Sequence, residues 1–170
     1  MNRVIFSLVA FSFLALSVFS FAGAATCPIQ SDTNVVIYGE TGAGGVGVPS
    51  RSWQNHFFGW WESQDPSINY LFLSKANVRT DCVLSSYSNL RLYVQPGGDA
   101  YKQQNSLSSS GKANILNYLD KGGAYFGACA GAYYASNDYY WQGSFYNHAN
   151  LLDRFPTVEG SITSIADYDE

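Results

Sequence analysis

The sequence predicts an α/β fold in which a mainly parallel β-sheet is covered by helices on both faces. Three observations predict it. Short apolar runs of strand length recur along the chain, helical stretches separate them, and glycine or proline closes nearly every run. At 170 residues, 46% hydrophobic and 13% charged, with 13 Tyr, 11 Phe and 4 Trp, the chain suits one domain and is far too apolar for intrinsic disorder. Nine Lys plus Arg against thirteen Asp plus Glu give a net charge of −4 with no basic block. That balance excludes a nucleic-acid partner held by phosphate neutralisation.

The elements follow in order. Val35 to Tyr38 is a β-branched run ending at glycine and predicts the first strand. Val48 to Glu62 predicts a helix, with Pro49 at its start and Trp53, Phe57, Trp60 and Trp61 at i, i+4, i+7 and i+8. Asn69 to Leu73 and Leu90 to Gln95 are two further buried-type runs, the second stopped by Pro96-Gly97-Gly98. Ser108-Ser109-Ser110 offers N-caps to a helix whose apolar face is Ala113, Ile115, Leu116 and Leu119, and Gly122-Gly123 stops it. Ala124 to Phe126 is the fourth strand, and Ala132-Tyr133-Tyr134-Ala135 can begin a helix after it. In such sheets ligand sites form at the carboxyl ends of the strands.

Residues 1–24 are expected to be a signal peptide. Arg3 supplies the positive start, Val4 to Phe21 is apolar apart from serines, and Ala22-Gly23-Ala24 fits cleavage after Ala24. The mature protein would then be secreted, extracellular or periplasmic, with no membrane segment left. Export sets the reading of Cys27, Cys82 and Cys129: one disulfide and one free thiol. Cys27 at the mature terminus and Cys82 in a polar stretch suit the disulfide, which leaves Cys129 reduced. Two scattered histidines and no C-x-x-C offer no metal-ligand spacing, and no cofactor is expected.

Glycine-rich turns follow the strands. Gly42-Ala43-Gly44-Gly45-Val46-Gly47 spells the dinucleotide fingerprint, but Pro49 restarts the chain just after it and Leu73 is followed by Ser74-Lys75 where an acid is needed, so it reads as a loop. Gly127-Ala128-Cys129-Ala130-Gly131 is different. A strand precedes it and a helix start follows, the pattern of a nucleophile elbow, in which small neighbours permit a strained central residue that aims its side chain at the strand ends. The Gly97-Gly98 turn, with the N–H of Ala130, can supply donors to a developing oxyanion.

The two motifs, Leu92-Tyr93-Val94-Gln95-Pro96-Gly97-Gly98-Asp99 and Gly122 through Tyr134, resemble the biotin-protein ligase N-terminal-like family of the class I glutamine amidotransferase-like superfamily. The resemblance implies a flavodoxin-like three-layer sandwich over residues 25–170, with Cys129 at the nucleophile position and Gly97 and Gly98 as the oxyanion turn. No biotinyl-adenylate loop is present, so the ligase proper is not expected. An active amidotransferase also needs a His and an acid downstream, and His148 is the only histidine beyond Cys129. The end at Asp167-Tyr168-Asp169-Glu170 leaves open whether a longer chain, C-terminally truncated here, carries them. Glu40, after the first strand, is either a partner able to hydrogen-bond the Cys129 sulfur or a solvated loop acid. The aromatics from Tyr133 to Tyr146 either line a pocket for a small-molecule or peptide ligand or pack an irregular segment. Two functions fit: a cysteine-dependent hydrolase or amidase, and a non-catalytic binding module that keeps the elbow as a fold device.

Overall fold

The computed structural model describes residues 32–43, 52–80, 84–85 and 88–160. Cys27 and Cys82, and with them the expected disulfide, lie outside the described residues, as does the expected signal peptide. Four parallel strands, β1 (Val35–Tyr38), β2 (Tyr70–Leu73), β3 (Leu92–Gln95) and β4 (Ala124–Gly127), form the main sheet in the order β2-β1-β3-β4. That order is the first part of the flavodoxin-like arrangement, whose ligand crevice opens where the chain reverses direction between β1 and β3. The registers are regular: Val36 stands opposite Leu71 and Tyr93, and Val94 opposite Phe126.

Alternation along the strands divides the side chains between two layers. Val35, Ile37 and Val94 face α1 (Ser52–Gln64), where Phe58 is the fully buried contact, packed with Trp61 and Tyr70. Of the aromatics at helical spacing, Trp61 packs on this cluster while Phe57 and Trp60 are 48% and 62% exposed. Phe58, one position on, is the residue that enters the core.

The other layer holds Val36, Tyr38, Leu73 and Tyr93 against α2 (Lys75–Arg79), α3 (Ala100–Asp120) and α4 (Ala130–Ala135). Helix α2 escaped the sequence pattern because it has only five residues; a capping box between Ser74 and Asn77 secures it. Helix α3 starts earlier than expected, with Asp99 as its N-cap, and breaks at Ser108, where φ is 57°. The serine run therefore marks a real interruption, but a first helical segment precedes it.

Among the described residues, strand β4 is covered on one face only. Tyr125 points inward, while Phe126 on the α1 side is 49% exposed. A second sheet, β6-β5-β7, follows α4: β5 (Tyr139–Trp141) and β6 (Ser144–Tyr146) form a hairpin, and β7 (Val158–Gly160) pairs parallel to β5. Positive φ at both Gln142 and Gly143 gives the two-residue hairpin turn its handedness. No described helix is long and apolar enough to cross a membrane.

Candidate active site

Cys129 stands between β4 and α4 with φ 51° and ψ −111°, a backbone conformation that side-chain-bearing residues rarely adopt. Such strain persists where the surroundings over-determine it. Here the glycines on either side of the elbow do so. A Cβ on Gly127 would fall 2.7 Å from the Gly131 carbonyl, and one on Gly131 would fall 2.0 Å from the Gln95 carbonyl oxygen. The first turn of α4 thus lies directly on the end of β3, held there by the Ala128 N–H donating to Gln95 and the Tyr125 hydroxyl donating to the Gly131 carbonyl at 2.7 Å.

The thiol of Cys129 is free and exposed. The Pro96-Gly97-Gly98 turn approaches it closely: a Cβ on Gly97 would lie 3.3 Å from the Cys129 Cβ and 3.9 Å from its Sγ. The turn is tied from behind by Gln103, buried on α3, whose amide donates to the carbonyls of Pro96 at 2.9 Å, Gly97 at 3.3 Å and Gly42 at 3.1 Å. In a trans peptide the N–H of the next residue points opposite to the carbonyl, so the N–H groups of Gly97 and Gly98 point away from Gln103. Ala130 heads its helix, where the first amides lack an intrahelical acceptor.

Cys129, Ala130 and Gly98 open on one cleft of about 440 Å³. Apart from Asp99 and Ala100 its remaining wall is aromatic: Tyr101 from α3, Tyr133 from α4, and Tyr139, Trp141 and Tyr146 from the hairpin. These rings support one another, with Tyr133 5.1 Å from Tyr139 and 5.6 Å from Trp141, and Tyr139 stacked on Tyr146 at 5.1 Å. The aromatic segment is therefore divided: Tyr133, Tyr139, Trp141 and Tyr146 line the cleft, Tyr134 packs in the core, and Tyr140 and Phe145 pair on an exposed face.

Glu40 is placed elsewhere. Its carboxylate accepts from the backbone N–H of Lys75 at the start of α2, its other oxygen lies 3.6 Å from the Lys75 ammonium, and it does not line the cleft. His148 packs its ring against Tyr101 at 5.0 Å and against Tyr139 and Tyr146 at 5.9 Å, with Nε2 buried. The acid that does line the cleft is Asp99, at the N-cap of α3, where it accepts from the Lys102 N–H at 3.0 Å. Burial, and next the charge of Asp99, push the Tyr139 phenol up to about 12. The N-cap preference for Asp could have flagged Asp99. Nothing in the sequence marks Gln103, a helix glutamine like any other until the turns it joins are known.

Residues 78–148 match the family model for the biotin-protein ligase N-terminal domain. Over that stretch the chain is similar to the biotin-protein ligase N-terminal domain. The matched stretch runs from α2 to His148 and contains Gly98, Cys129 and the aromatic hairpin, so every described wall of the cleft falls inside the biotin-protein ligase N-terminal-like region. Comparisons with curated proteins and with solved structures gave no match.

Proposed function

We propose that this biotin-protein ligase N-terminal-like domain is exported and acts as a cysteine-dependent hydrolase or amidase with Cys129 as nucleophile. The observation that carries the reading is the strained Cys129 at a strand-to-helix turn, its free thiol opening on a cleft beside Gly98 and the head of α4. In the proposed reaction the sulfur attacks an amide or ester carbonyl, the Gly97-Gly98 turn and the Ala130 N–H hold the oxyanion, and the amine or alcohol leaves with a proton. Water then cleaves the thioester, releasing the acid and restoring the thiol.

A second reading, a non-catalytic module for a small ligand, is supported by the cleft lining: no histidine is among the described residues that form it. One experiment separates the two. Hydrolysis of a panel of p-nitrophenyl esters and p-nitroanilides is compared between the wild type and Cys129→Ser. The hydrolase reading expects turnover that falls by roughly a thousandfold or more in the variant. Absence of wild-type turnover, or turnover retained in Cys129→Ser, overturns it.

A further inference from the structure

The cleft has a chemical bias that the nucleophile alone does not require. Among the described residues lining it, Asp99 is the single side chain of a charged residue type, and no Lys or Arg joins the wall. The nearest cation recorded for Asp99 is the Lys102 ammonium at 3.5 Å, on a side chain 66% exposed that does not line the cleft. The same cleft is lined by the rings of Tyr133, Tyr139 and Trp141, with Trp141 at 75° to Tyr133, so two aromatic planes meet as the walls of a corner. Ring faces attract cations, and a carboxylate lining the same cleft attracts them further.

We propose that the cleft selects molecules bearing a positive charge, an ammonium or guanidinium group, close to the carbonyl presented to Cys129, and that Asp99 sets this selection. The inference rests on the reading of Cys129 as the reactive centre and adds the class of substrate: amides or esters with a cationic side chain or a free amino terminus. The raised Tyr139 phenol accords with it, since the second cause of the shift, after burial, is the Asp99 charge acting across the cleft. Selectivity of this kind weakens with salt, because the carboxylate is partly solvated.

The test uses three methanethiosulfonates of similar size carrying trimethylammonium, methyl or sulfonate groups, each rate at Cys129 being read by peptide mapping and divided by its rate on 2-mercaptoethanol. The expected result is a normalised preference for the trimethylammonium over the sulfonate reagent of roughly tenfold, the equivalent of one good charge contact. Asp99→Asn, whose side chain caps a helix equally well, is expected to keep the fold and collapse the preference toward unity. Lys102→Gln, which removes the competing cation, is expected to enlarge it. A ratio equal to that of 2-mercaptoethanol, or one unchanged in Asp99→Asn, overturns the proposal. Its failure is distinct from failure of the hydrolase reading: charge selectivity without turnover leaves a cation-binding cleft, and turnover without charge selectivity leaves a hydrolase of another specificity.

Discussion

A Cβ on Gly131 would stand 2.0 Å from the carbonyl oxygen of Gln95, so the first turn of α4 rests on the end of β3 with no room for a side chain. That contact fixes how far Cys129 projects beyond the sheet.

Gly131→Ala is therefore expected to destabilise the protein by about 1–3 kcal/mol, the usual range for forcing volume into a packed region. Gly59→Ala is the opposite case. Gly59 lies inside α1 and its added Cβ would meet only the Tyr70 hydroxyl at 3.7 Å, so relief of the glycine penalty should stabilise by about 0.5–1 kcal/mol. Urea denaturation of both variants checks the signs.

Cys129→Gly should be more stable than Cys129→Ala. Both remove the sulfur, but alanine keeps the Cβ that makes φ 51°, ψ −111° unfavourable. Relief of that strain, about 1–3 kcal/mol, exceeds the entropy that glycine adds to the unfolded chain, about 0.4–1 kcal/mol. Thermal melts of the two variants decide it.

Gln103→Leu should cost about 1–3 kcal/mol, because the carbonyls of Pro96, Gly97 and Gly42 lose one shared buried donor. It should also slow alkylation of Cys129 by iodoacetamide, since the turn beside the sulfur loses its tie. A stability loss with an unchanged alkylation rate would show that Gln103 braces the fold without positioning the turn.

Stability should fall steeply above pH 10. Burial raises the phenols of Tyr38 and Tyr118 from 10.0 to about 12, and lifts those of Tyr93, Tyr125 and Tyr134 as well. Between the two values the unfolded chain has released these protons and the folded chain has not, so the unfolded state binds fewer protons and gains as pH rises. Far-UV circular dichroism against tyrosinate absorbance should show the two changes together; free titration of the tyrosines in a folded chain would refute the burial.

The main sheet was legible because each parallel strand is a short, largely apolar run, and three of the four stop at glycine or proline, as Leu92 to Gln95 does. Cys129 was legible because glycines at 127 and 131 frame it in the sequence, and a Cβ on either would strike backbone, that of Gly131 and that of Gln95. What stayed hidden depends on distant partners. The inward Phe58 in place of Phe57 depends on its packing with Val35, Ile37 and Val94, residues far away in sequence. Glu40 is drawn to the amide of Lys75, the first residue of a helix too short to show periodicity. The Gly42 turn is shaped by packing, since a Cβ there would fall 2.5 Å from the Gln103 nitrogen, a contact between residues far apart in sequence.

Whether Cys129 acts as a nucleophile at the oxyanion turn is read from acyl transfer to its sulfur. The protein is mixed with p-nitrophenyl acetate, quenched at intervals, and the acetylated residue and its rate of formation are read by mass spectrometry. The account predicts a single acetyl group on Cys129, formed faster than on N-acetylcysteine at the same pH and slowed in Gly97→Ala. Acetylation of Cys129 no faster than of the free thiol, or with a rate indifferent to Gly97→Ala, would contradict it.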